Sequence, residues 1–197
     1  MMNIQPLTLE GTQVTLMPLQ ESHISELTKA ANDPLIWAYM TPLPQKQDVQ
    51  RFVRQALEEQ QSGLGLPFSV YDKGSERIVG STRLFEISTA HRQLEIGHTW
   101  YHPTVWRTRI NTECKYLLLR HCFETLGTVR VQLKTDLRNV RSQTAIARLG
   151  AVQEGILRQH RILQDGYIRD TVMFSIIASE WPEVKQRLEG FLSQVYV

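Results

Sequence analysis

Apolar positions recur along the chain at two periods, two residues for half-buried strands and 3.6 for helices. Residues 12–16 alternate, with Val14 and Leu16 on one face and Pro18 closing the run, which predicts a first strand near a sheet edge. Ser22 is the expected cap of a helix whose apolar positions Ile24, Leu27 and Ala31 keep the helical period until Asn32-Asp33-Pro34 ends it. Residues 35–44 hold Trp37, Tyr39 and Met40 among prolines and follow neither period. They read either as a loop pinned to the core or as a loop that touches substrate. Asp48 opens a strongly amphipathic helix with Val49, Phe52, Val53, Ala56 and Leu57 on one face; its charges, Arg51 among them, form a solvated face, and Gly63 is the stop. Residues 67–71 and 78–85 flank Asp72-Lys73-Gly74-Ser75-Glu76 and predict an antiparallel hairpin, followed by a polar connection over residues 86–93.

The middle of the chain carries the pattern that matters most. An apolar strand over residues 94–101 runs through His102-Pro103 into the turn Trp106-Arg107-Thr108-Arg109-Ile110-Asn111, and then into a long helix opened by Thr112. A second strand, residues 130–135, points into a second helix start over residues 136–142, where Asn139 is a good N-cap. Strand, helix, strand, helix in that order predicts a right-handed parallel crossover with ligands beyond the carboxyl ends of the strands. A helix N-terminus leaves backbone N–H groups unpaired and carries partial positive charge, so it holds phosphate well. Both helix starts are expected to face one crevice containing a phosphate-bearing cofactor. Residues 156–163 and 167–177, joined by Asp165-Gly166, predict a second hairpin, and Ser179-Glu180-Trp181-Pro182 opens a terminal helix. The resulting order, β α α β β β α β α β β α, is a mixed sheet of the α/β class with helices on its faces, read as a single domain over residues 1–197.

Composition adds the partner. The formal net charge of +2 argues against a dedicated nucleic-acid binder, yet residues 105–150 hold nine Lys/Arg against three Asp/Glu, a local +6 that leaves −4 elsewhere. A basic stretch around two helix starts suits a compact polyanion. Cys114 and Cys122 lie eight residues apart on one predicted helix, about 12 Å along its axis, so they cannot bridge each other, and both read as inert core thiols. The six histidines are scattered and no metal site is proposed. The N-terminus lacks the basic-then-apolar pattern of a secretory signal and no long apolar run occurs, so a cytoplasmic protein without membrane association is expected. Dinucleotide, phosphate-loop, zinc-protease, paired-cysteine and nucleophile-elbow motifs are all absent from the sequence.

Three stretches carry a resemblance: Glu95-Ile96-Gly97 followed by Trp100-Tyr101 and His102-Pro103; the turn leading into Thr112-Glu113; and Asn139-x-x-Ser142 followed by Arg148-Leu149-Gly150-Ala151. Together they resemble the GNAT N-acetyltransferases, in particular the ribosomal-protein-alanine N-acetyltransferase (RimJ/RimL-like) branch. The resemblance implies the GNAT acyl-CoA N-acyltransferase fold, with about seven strands in a partly splayed sheet flanked by four to five helices. It implies acetyl-CoA as cofactor, an amine acceptor that is a peptide N-terminus or a small molecule, and a monomer or homodimer. By the same resemblance, CoA lies along Trp100 and Tyr101, along Trp106, Arg107, Thr108, Arg109, Ile110, Asn111 and Thr112, and along Asn139, Ser142 and Arg148. The turn departs from the family pattern Gln/Arg-x-x-Gly-x-Gly/Ala: Trp106 takes the first position, Arg109 the glycine and Asn111 the Gly/Ala. Glycine there lets backbone approach phosphate with positive φ; Asn tolerates that region, and Arg is less at ease in it. Ile146 stands where many relatives place a tyrosine acid.

Acyl transfer from a thioester to an amine requires a proton acceptor for the ammonium, donors for the oxyanion and a donor for the leaving thiolate. The resemblance implies direct attack in a ternary complex, with Glu95 and His98 nearest for the first task, working through water. Backbone N–H groups of the central strand serve the second, and Ser142 the third. Glu95 reads equally as a structural partner of a neighbouring strand, and Ser142 as a plain first-turn polar residue. A non-catalytic acyl-CoA-binding module on the same fold is the alternative function.

Overall fold

The computed structural model describes residues 2–40 and 46–194. In chain order the elements are β1 (Leu9–Glu10), β2 (Val14–Pro18), α1 (Ile24–Ala30), α2 (Lys46–Gln61), β3 (Gly65–Asp72), β4 (Arg77–Ser88), β5 (Gln93–Tyr101), α3 (Ile110–Arg120), β6 (Arg130–Asp136), α4 (Val140–Leu149), β7 (Val152–Ile162), β8 (Ile168–Ile177) and α5 (Trp181–Ser193). The strands form one mixed sheet in the order β1-β2-β3-β4-β5-β6-β8-β7. Along the chain, the elements follow the order predicted from periodicity with one strand added. β1 is two residues long, too short for any period to reveal. It takes the edge expected for residues 12–16, so β2 is interior and Val14 and Leu16 are fully buried.

One carboxylate fixes that edge. Glu113 on α3 accepts the backbone N–H groups of Thr12, Gln13 and Val14 at 2.7, 2.7 and 2.8 Å. Gly11 makes room for it, because a Cβ there would lie 2.7 Å from the carboxyl carbon of Glu113. The anion thus satisfies three donors of a turn that no strand pairs.

Other boundaries move for local reasons. Ser22 does not cap α1; its hydroxyl bonds the Gln20 side chain, and the chain enters α1 through a 3₁₀ turn, Glu21–His23. Helix α2 begins at Lys46 rather than Asp48. Part of the irregular segment before it, residues 41–45, lies outside the described residues. Trp37 pins the rest: it is buried, donates its indole N–H to Ala31 O at 2.9 Å, and tilts against Trp100 at 5.4 Å. Strand β4 runs on to Ser88 and β7 starts at Val152, both through bulges that break simple alternation.

The sheet is covered on both faces. Leu117 and Leu118 of α3 and Trp181 and Val184 of α5 pack with Leu94, Ile96 and Phe174 on one side. Leu27 of α1 and Val49, Val53 and Ala56 of α2 pack with Trp100 and Ile78 on the other. Among the described residues no helix is long and apolar enough to cross a membrane.

One irregularity organises the rest. Strands β5 and β6 pair in parallel only where Gln93, Leu94 and Glu95 face Arg130, Val131 and Gln132. Beyond that β6 stays with β8, while β5 stays with β4. Between the pairs Arg83–Gly97 and Ser81–Trp100, β5 carries one extra residue, and His98 sits there at φ 47°. A bulge bends the strand that carries it, so the two parallel strands splay and the sheet opens.

Candidate active site

The opening is a cleft of about 1740 Å³, lined from β5, β6, the starts of α3 and α4, residues 36–40, α2 and the β7–β8 hairpin. Both helix starts face it, as their place in the crossover predicts. Helix α3, however, begins at Ile110 and not at Thr112. Thr108 makes the difference: its hydroxyl donates to Val105 O at 2.7 Å and accepts the Ile110 N–H at 3.3 Å, closing the turn two residues early. Thr112 is therefore buried within the first turn, where its hydroxyl accepts the Arg148 guanidinium. Among the described residues the N–H groups of Asn111 and Thr112 meet no acceptor.

The strain in this turn sits elsewhere than the residue pattern suggests. Arg107 takes the left-handed conformation at φ 62°, whereas Arg109, at φ −75°, has ordinary helical geometry. Arg109 also reaches away, donating Nη1–H to Leu192 O of α5 at 3.0 Å. Trp106 donates its indole N–H to Tyr101 O at 2.9 Å and carries the Arg141 guanidinium on its face at 3.8 Å. Arg141 opens α4, so this contact ties one helix start to the other. Asn139 accepts the Ser142 N–H at 3.0 Å and is the N-cap of α4. The Ser142 hydroxyl makes no hydrogen bond and lines the cleft. Arg148 lies over Phe191 at 4.6 Å.

Trp100 and Tyr101 point into opposite cores, so their rings are packing. What β5 leaves open past Glu95 is its backbone edge, which no β6 residue pairs. Ile146 is buried at the cleft wall, and both cysteines are fully buried free thiols whose pKa burial pushes up, to about 12 for Cys114.

Glu95 stands where the strands fork. It is 1% exposed, forms an ion pair with Lys134 Nζ at 2.8 Å and accepts Gln132 Nε2–H at 3.0 Å. Lys134 also pairs with Glu86 at 2.8 Å. Burial raises the Glu95 pKa to about 7, against the pull of Lys134. A neighbouring residue behaves oppositely: the fall in the pKa of His98 comes from crowding by protein first and then from Arg83, Arg161 and Lys134. Its ring stands edge-on to Phe85 at 4.8 Å and borders open cleft as a neutral imidazole. Of the two residues named for proton transfer, Glu95 has the pKa suited to work near neutral pH.

Several cations at the cleft, Lys134 and Arg141 among them, were not singled out by residue pattern. Arg51 is another; it is exposed on its helix face, as expected, and also borders the cleft. Lys115 is buried on α3, donates to Thr99 Oγ1 at 2.8 Å, and has its pKa lowered by burial to about 8. Arg161 and Arg169 reach the cleft from β7 and β8. No motif marks any of them, since bulges and strand order decide which polar residues turn inward.

With this geometry in place, the relatives are informative. Residues 13–152 match the family described as Acetyltransferase (GNAT) domain. A GCN5-related N-acetyltransferase from Brucella melitensis has the same fold, with a TM-score of 0.88 and 31% identity, covering 96% of this chain and 87% of its own. The uncharacterized N-acetyltransferase YoaA of Bacillus subtilis (strain 168) is 26% identical over 113 residues, 57% of this chain; the match spans 63% of that relative's length. At 22% identity, the microcin C7 self immunity acetyltransferase MccE, solved in complex with acetyl-CoA and AMP, shares the fold with a TM-score of 0.75, over 85% of this chain and 93% of its own. The chain belongs to the GNAT acetyltransferase family, whose members draw on acetyl-CoA.

Proposed function

We propose that this protein is an N-acetyltransferase in which a primary amine attacks acetyl-CoA directly within a ternary complex. One observation carries the reading: a buried carboxylate with its pKa lifted to about 7 stands at the fork of β5 and β6, in the same cleft as two cation-dressed helix starts. The unpaired N–H groups of Asn111 and Thr112, with Arg107 and Arg141, suit a pyrophosphate. The open edge of β5 suits the amide-bearing arm of CoA, which can hydrogen-bond as a strand would. Bound there, acetyl-CoA supplies an activated acetyl thioester. Glu95, through a water, accepts the proton that the ammonium must lose before its nitrogen bonds to the acetyl carbon. Backbone N–H groups at the bulge hold the oxyanion, and the Ser142 hydroxyl donates to the sulfur as the carbon–sulfur bond breaks. As the amide forms, the nitrogen releases its second proton to solvent, from which the departing thiolate is protonated.

The narrower assignment to the ribosomal-protein-alanine branch rests on the motifs around Glu95 and Asn139 and keeps N-terminal peptides among the acceptors to try. A non-catalytic acyl-CoA-binding module has less behind it once Arg109 is relaxed. Release of CoA thiol from acetyl-CoA, measured over a panel of N-terminal peptides, amino acids, polyamines and aminoglycosides, tests the proposal. Binding of CoA with no thiol release from any amine would favour the binding module instead.

A further inference from the structure

Arg161 and Arg169 are Cα partners across β7 and β8, and both line the cleft. Two like charges directly opposite each other on a sheet repel, and an anion bound between them would offset that repulsion. Among the described residues Arg161, exposed at the cleft, makes no hydrogen bond or ion pair. For Arg169 the nearest carboxylate oxygen is Asp136 Oδ2, 3.9 Å from Nε, and that buried Nε has no hydrogen-bond partner.

Four carboxylates among the described residues are held chiefly by other groups. Asp136 is held by Arg138, whose Nη2, Nε and backbone N lie at 2.8, 3.1 and 2.8 Å. Glu86 and Glu95 share Lys134. Asp170 accepts the Gln159 N–H at 2.7 Å. That last bond shapes a bulge: between the pairs Leu157–Thr171 and Arg161–Arg169, β7 has three residues against one, and Gln159 sits at φ 51°. The bulge breaks the register of β7 just before Arg161 and so fixes which way the pair turns.

The pair stands at the reacting end of the cleft. Arg161 is close enough for its charge to bear on His98, and Arg169 close enough to feel that of Glu95. Arg107 and Arg141, by contrast, stand at the helix starts, where the CoA phosphates are placed. The remaining wall of this half includes Tyr39, Met40, Phe52 and Phe85.

Resting on the acetyltransferase reading above, we infer that Arg161 and Arg169 form an anion subsite for the acceptor, so that the amine acetylated is a small molecule bearing its own carboxylate or phosphate. The anion places the amine between the guanidinium pair and Glu95 and disfavours neutral amines, which leave the buried Arg169 Nε–H without a hydrogen-bond acceptor.

Matched acceptors test this at fixed pH and saturating acetyl-CoA: phenylalanine against phenylalaninamide for a carboxylate, and O-phosphoethanolamine against ethanolamine for a phosphate. The amide has the less basic amine and so the larger reactive fraction, which biases the comparison against the inference. At least one anionic member should exceed its neutral partner by about 10-fold or more in kcat/KM. Arg161→Gln and Arg169→Gln should each bring that ratio toward one, chiefly through KM. Ratios at or below one in the wild type, ratios untouched by both substitutions, or preference for a neutral N-terminal peptide would overturn the inference while leaving acetyl transfer intact. A second measurement needs no turnover. With the helix starts saturated by CoA, inorganic phosphate should raise the melting temperature of the wild type further, and of neither variant. No further shift in the wild type overturns the anion subsite, whereas absence of thiol release with every amine overturns the acetyltransferase reading.

Discussion

The Arg141 guanidinium lies 3.8 Å from the centre of the Trp106 indole and so joins the starts of α4 and α3, two helices that share no turn. The indole is itself fixed by its bond to Tyr101 O at the end of β5. A strand end, a turn and two helix N-termini are thereby held as one phosphate-facing unit.

If that unit binds CoA, Arg141→Glu should raise the Kd for CoA by at least about 10-fold, near 1.4 kcal/mol. Trp106→Ala should act in the same direction through loss of a cation–π contact of about 0.5–2 kcal/mol. Arg54→Glu, on the exposed face of α2, is the control and should leave Kd unchanged. Calorimetric titration with CoA reads all three.

Glu95 gives activity and stability opposite responses to pH. Its folded pKa, raised by burial to about 7, exceeds the unfolded value of 4.5, so protonation favours the folded state. That stabilisation is complete below about pH 4.5 and is lost as pH rises to about 7. Proton acceptance needs the ionised form, so kcat should rise through the same interval. Glu95→Gln should lower kcat by about 10²–10⁴-fold, flatten this limb of the profile, and lose the fall in stability between pH 4.5 and 7. A profile unchanged in the variant would return Glu95 to a structural role.

Ser142 separates folding from chemistry. Only its backbone serves the cap, so Ser142→Ala should alter stability by no more than about 0.5 kcal/mol. As a donor to the leaving sulfur its loss should lower kcat by about 10–1,000-fold at saturating acetyl-CoA with little change in cofactor affinity. Asn139→Ala, which removes the cap, should cost roughly 1 kcal/mol in a denaturant titration. Unaltered turnover in Ser142→Ala would make the residue a plain helix-start serine.

Lys115 is a buried cation whose folded pKa, about 8, lies below the unfolded 10.5. Folding therefore opposes its charge: the cost is full below pH 8 and disappears as pH rises toward 10.5. Lys115→Met should raise stability at pH 7 by about 1–3 kcal/mol, and the gain should shrink at pH 9–10. Thermal melts at the two pH values check the sign.

Direct attack predicts that no cysteine carries acetyl. Replacing Cys114 and Cys122 together by Ala should cost about 1–3 kcal/mol of packing yet leave kcat per folded molecule intact. Parallel double-reciprocal kinetics, or an acetylated thiol found by mass spectrometry, would contradict the mechanism.

Local chemistry along the chain was enough for the order of elements, for Asn139 as a cap and for the pairing of two helix starts around a basic segment, because periodicity, capping and composition are properties of neighbours in sequence. It was not enough for β1, which exists because Glu113, a hundred residues away, satisfies the turn beside it. Nor could it place the strain at Arg107 rather than Arg109, since Thr108 decides where α3 begins by a bond that only the folded turn allows. The cleft itself is a tertiary event: one extra residue at His98 parts β5 from β6. Arg51, Lys115, Arg161 and Arg169 face that cleft from four different elements. Which polar side chains a sheet turns inward depends on bulges and strand neighbours, which bring together residues that no local pattern connects.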